Sequence, residues 1–89
     1  MDWSKIIADL LKDVLPLLVD ALKRWLEKLL PQAAKELAVP NRNALIEKAI
    51  EMTPPRQFIK RGILRVLRDS PRGLGKDAKA EIRGLAKNF

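Results

Sequence analysis

The chain has 89 residues, with 18 Lys and Arg against 11 Asp and Glu, a formal net charge of +7. It contains no Cys and no His. That excludes a disulfide framework, every thiolate or zinc-finger metal site, and the usual general base at neutral pH. The hydroxyl nucleophiles are Ser4, Ser70 and Thr53, and no imidazole is present to activate them. A binding role is expected, with no catalytic residues, no cofactor and no metal.

One small domain over residues 1–89 is expected from this length. An apolar fraction of 47% is too high for a disordered tail. No apolar stretch approaches the ~20 residues of a membrane span. Charges at Asp2, Lys5, Asp9, Lys12 and Asp13 do not fit a signal-peptide layout. Together with the missing Cys, this sets the expectation of a cytoplasmic protein.

Strand-type alternation is absent and helical periodicity runs almost throughout. The expected fold is all-α: a small compact bundle of about five helices. The first is long, from about Trp3 to Leu30. At ~100° per residue, Lys5, Asp9, Lys12, Asp13, Asp20, Lys23 and Glu27 share a narrow polar stripe. The remaining arc is apolar and wider than a surface helix needs. A kink or a break is expected at Pro16, with Pro16 in the first turn of the second piece.

Pro31 then opens a short piece, Gln32 to Val39, ended by Pro40. Asn41 or Asn43 caps a helix over about Ala44 to Met52. Thr53 caps the next, with Pro54 at its first position and a body from about Arg56 to Asp69. Ser70-Pro71-Arg72-Gly73-Leu74-Gly75 is a turn rich in helix breakers. A last helix runs from about Lys76 to Asn88.

The charge is confined to one half. Residues 1–40 carry six basic and six acidic residues, whereas residues 41–89 carry twelve basic and five acidic ones. The first half is therefore expected to supply core or an oligomer contact, and the second a binding surface. In the fourth helix, Arg61, Arg65 and Arg68 recur at i, i+4 and i+7, and Arg72, at i+11, shares their face if the helix reaches it. In the last, Lys76, Lys79, Arg83 and Lys87 share a face. Phe58 and Phe89 are assigned to the apolar faces, so base stacking is not expected.

Aligned Arg and Lys with few intervening anions suit phosphate oxygens and counterion release. The eight cations are the expected contacts to the backbone of nucleic acid, with duplex DNA favoured and weak sequence specificity. The last two helices resemble a helix-turn-helix only generically. Their turn is long and carries a Pro, and the last helix lacks the Asn and Gln density of base readout.

Gly73-Leu74-Gly75-Lys76 resembles a fragment of a phosphate-binding loop. Asp77 stands where Ser or Thr would bind magnesium, and no strand precedes it. The pairs Asp9–Asp13 and Glu47–Glu51 lack further converging oxygens for a cation.

Trp3, Ile7, Leu11, Leu18, Leu22, Trp25 and Leu29 mark the apolar arc of the first helix. They are candidates for a homodimer contact or for an anionic membrane surface. Against the membrane, the polar stripe of this helix is near-neutral. A third possibility for the basic half is docking on an acidic protein.

Overall fold

The computed structural model describes residues 3–89, and these form five α-helices and one 3-10 turn with no strand. The helices are α1 Trp3–Val14, α2 Asp20–Lys35, α3 Arg42–Met52, α4 Phe58–Arg68 and α5 Lys76–Lys87. The all-α bundle expected from periodicity is present, but its division differs at three prolines.

At Pro16 the first expected helix breaks completely. Pro16 has no N–H to donate, and it restricts the residue before it. The chain leaves α1 at Val14 and makes a 3-10 turn over Leu15–Leu17. It then passes through an extended Leu18, at φ −108° and ψ 151°. Pro16 therefore sits in the turn, outside the first turn of α2. Asp20 and Lys35 place charges of the favourable sign at the two ends of α2.

Pro31 does the opposite of what its propensity predicts. It lies inside α2, which continues to Lys35. The row Leu22, Leu26, Leu29, Leu30, Ala33 and Ala34 stays in helical register through it and is buried. Pro31 itself is exposed, so the Glu27 carbonyl that loses its donor can face water. Burial of the apolar row outweighs one missing hydrogen bond. The separate piece expected over residues 32–39 does not form.

Thr53 is the third difference. It closes α3 and does not open α4. Its Oγ1 donates to the Ala49 carbonyl at 2.8 Å, and the residue is buried at 2% exposure. Pro54 and Pro55 are exposed and lie before α4, which begins only at Phe58. At the start of α3 the Asn41 side chain accepts from the Asn43 backbone N–H at 2.8 Å, a regular cap.

The helices pack as sequential neighbours, and α5 closes against the 3-10 turn. The start of α1 lies beside the end of α2, since Trp3 and Ile7 share a cleft with Pro31 and Ala34. One hydrophobic cluster draws on all five helices. Its fully buried members include Val14, Leu22, Leu26, Leu30, Leu45, Ile46, Ile63, Leu64, Leu67 and Ile82. The Cα radius of gyration is 12.0 Å, the value a compact chain of this length should have.

Burial redraws the list of interface candidates. Leu18, Leu22 and Leu29 are inside the core, at 6%, 0% and 9% exposure. They cannot line a dimer or membrane contact, because packing within the chain, with α1 and α3 against α2, already covers them. Trp3, Ile7, Leu11 and Trp25 are partly buried against the same cluster.

Candidate nucleic-acid interface

Seven of the eight cations assigned to phosphate contact fall into two groups of different character, and Arg72, in the turn beyond α4, stands apart. The first is on α4. Arg61 is half-buried and its guanidinium donates from Nη1 to the Thr53 carbonyl at 3.2 Å. It thereby satisfies a carbonyl at the C-terminal end of α3 and joins α3 to α4. Arg68 bonds from Nη1 to Glu47 at 3.3 Å and from Nε to Asp69 at 3.5 Å. Two of the three arginines on this helix are thus turned toward α3, Arg61 in a part-buried bond and Arg68 in exposed ion pairs. Arg65 is exposed, but its groove against α5 also holds Asp69 and Glu81.

The second group is on α5. Lys76, Lys79, Arg83 and Lys87 are all exposed. Among the described residues, none of them lies within an ion pair; the four pairs found involve Lys23, Lys48 and Arg68. Spacings of three, four and four residues hold them in one row along roughly 16 Å of helix. Ile82 and Ala86 are the buried side of the same helix. Ala78, Glu81 and Leu85 face the α4 groove, while Arg83 and Lys87 flank the corner at Pro16, Leu17, Leu18 and Val19. The one acidic side chain mid-helix therefore points away from the row.

The two basic stripes do not merge into one surface. The α5 row lies on the side of the 3-10 turn, and the α4 arginines lie toward α3 and the α4–α5 groove. One close contact and one turn shape the α4–α5 pair. Gly62 lets Leu85 approach, because a Cβ there would sit 3.2 Å from a Leu85 methyl. Gly73, at φ +105°, makes the turn that brings α5 back.

Arg72 is exposed at the rim of a cleft of about 430 Å³, lined also by Asp9, Lys12, Asp13 and Arg42. This cleft is of mixed charge. Arg42 reaches through it and donates from Nη2 to the Leu67 carbonyl at 2.9 Å, near the end of α4. Its Nη1 is buried without a hydrogen-bond partner. Burial lowers the Arg42 pKa, and the nearby Asp13 carboxylate opposes that change. A guanidinium remains charged under such a perturbation, so Arg42 is a structural cation tying α3 to α4.

Sequence reasoning misplaced the two phenylalanines. Phe58 is 73% exposed and Phe89 53% exposed; neither is on a buried face. For Phe58 the signal was available. It stands at i−3 from Arg61 and i−7 from Arg65, so helical geometry places it on the arginine face.

No family model matches the chain, and no curated protein or solved structure matches it.

Arg61 gives a direct check on the division of labour. Arg61→Ala is expected to destabilise the fold by about 1–2 kcal/mol, because the Thr53 carbonyl loses its charged donor. Its nucleic-acid affinity is expected to stay within about twofold, since the side chain is already engaged. Thermal unfolding and a binding titration on the same variant measure the two effects.

Proposed function

We propose that this protein binds the phosphate backbone of nucleic acid through the outer face of α5. It acts as a binding module and carries out no chemistry on its partner. The observation that carries this reading is the row Lys76, Lys79, Arg83 and Lys87, exposed and without a carboxylate partner among the described residues. Cations without a carboxylate partner have no ion pair to give up on meeting a row of phosphates. They release condensed counterions as they do so. Arg65 and Arg72 sit beside carboxylates, and contribute less.

The α5 row contacts phosphate and sugar, which positions a nucleic acid without reading its sequence. Asn88, the only amide residue at the end of this helix, is occupied: its side chain donates to the Gly84 carbonyl at 3.2 Å. Weak sequence preference follows.

The test is a titration with labelled nucleic acid at several salt concentrations. Four contacts predict a log–log slope of about −3 to −4, depending on whether the ligand is single- or double-stranded. A salt-independent affinity, or no binding at low salt, refutes the reading.

A further inference from the structure

Phe58 and Phe89 are exposed aromatic rings at 73% and 53%, and both line one cleft of about 270 Å³. Arg56, Gln57, Ile59 and Lys60 complete it. Arg56 and Lys60 are the charged side chains that line this cleft, and no carboxylate side chain does. The Lys60 Nζ lies 5.5 Å from the centroid of the Trp25 ring and 5.6 Å from that of Phe89. An ammonium is thus held between two aromatic faces at the edge of the cleft. Lys87, the last cation of the α5 row, precedes Phe89 by two residues, so the cleft lies beyond the C-terminal end of α5, beside the start of α4 and not on the face that carries the row.

We propose that this cleft stacks an unpaired nucleobase, so that the nucleic acid carried along α5 is single-stranded. The proposal rests on the phosphate-binding reading above and adds the strandedness of the ligand. Its parts are those of a single-strand site: a basic track for the backbone, then aromatic planes with an adjacent cation. A base within a duplex already has both faces covered and gains nothing from Phe58 or Phe89. An unpaired base covers apolar ring surface that is otherwise in water.

The same rings do not suit insertion into a bilayer. They line a concave cleft, and Lys60 stands between Trp25 and Phe89. Pressing this face into acyl chains would strip water from that ammonium. A strand of nucleic acid offers it a phosphate beside the stacked base.

The experiment compares three ligands: single-stranded oligothymidine, a duplex with the same number of phosphates, and vesicles containing anionic lipid. The proteins are the full chain and its Phe58→Ala, Phe58→Leu and Phe58→Trp variants. Phe58 is mostly in solvent, so unfolding temperatures should agree closely and the variants remain interpretable. The single strand is expected to bind the parent more tightly than the duplex. Phe58→Ala and Phe58→Leu are each expected to weaken it about tenfold, while Phe58→Trp retains affinity. Duplex binding is expected to change less than twofold in every variant.

Equal single-strand affinity in the parent and Phe58→Ala, with salt-dependent binding intact, overturns the stacking proposal alone. A Phe58→Leu variant that binds like the parent overturns it too, since apolarity and not a ring plane would then suffice. A loss confined to vesicle binding overturns it in favour of a lipid surface. Absence of binding to either nucleic acid at low salt overturns the phosphate-binding reading, and the stacking proposal with it.

Discussion

Replacing Lys79, Arg83 and Lys87 together with alanine is expected to lower nucleic-acid affinity about a hundredfold near physiological salt. The size follows from counterion release. Each lost contact removes about 0.7–0.9 from the salt slope, so three remove roughly two to three. Near 0.15 M salt, that difference amounts to about two orders of magnitude. The three side chains are exposed and unpaired among the described residues. Helix propensity also favours alanine over lysine or arginine slightly. The unfolding temperature should therefore hold or rise while binding collapses. Arg61→Ala should show the reverse pattern, with stability lost and affinity kept. If the triple variant binds as well as the parent with an unchanged slope, the α5 row is only a solvated face.

That contrast between two basic helices was half-legible in the sequence. The spacing of Arg61, Arg65 and Arg68 predicted one face of α4, yet Arg61 and Arg68 meet groups of α3 and its end while Arg65 lines the groove against α5. Spacing along one helix says nothing about the neighbour that the face meets. Glu47 and the Thr53 carbonyl come from α3, and only the packing of α3 on α4 brings them to the arginines. On α5 the same kind of pattern led to an exposed row: it flanks the 3-10 turn, and among the described residues no carboxylate there pairs with it. The sign of the charge was readable, and its availability was a tertiary property.

The prolines teach a related lesson about local signals. Pro16, Pro31 and Pro54 carry the same constraint on φ and the same missing donor. Pro16 breaks its helix where Leu15 and Leu17 are only partly buried. Pro31 is carried through by a buried row on the far side of α2. Before α4, Thr53 had two possible uses for its hydroxyl, as cap of the following helix or as partner of Ala49 one turn back. Burial of Thr53 between α3 and α4 favoured the second, because a buried hydroxyl needs a fixed acceptor. In each case the apolar face of a helix decided which local preference prevailed.

Leu22→Ala is expected to cost about 2–5 kcal/mol of folding stability, the second large effect. Leu22 is fully buried at 0% exposure, on the α2 face that meets the rest of the cluster. Truncation removes its transfer free energy and leaves a cavity that the surrounding leucines fill only in part. Total stability for a domain of this length is on the order of 4–13 kcal/mol. A loss of about 3 kcal/mol then lowers the unfolding temperature by roughly 12–24 °C. Val19→Ala, three positions earlier and 48% exposed, should stay within about 0.5 kcal/mol of the parent. Protein concentration separates core from interface. A core leucine lowers the unfolding temperature by the same amount at every concentration. A leucine at a dimer contact makes the shift depend on concentration, because dissociation is then linked to unfolding. A concentration-dependent shift in Leu22→Ala would place this side of α2 at a subunit contact, against the burial seen here.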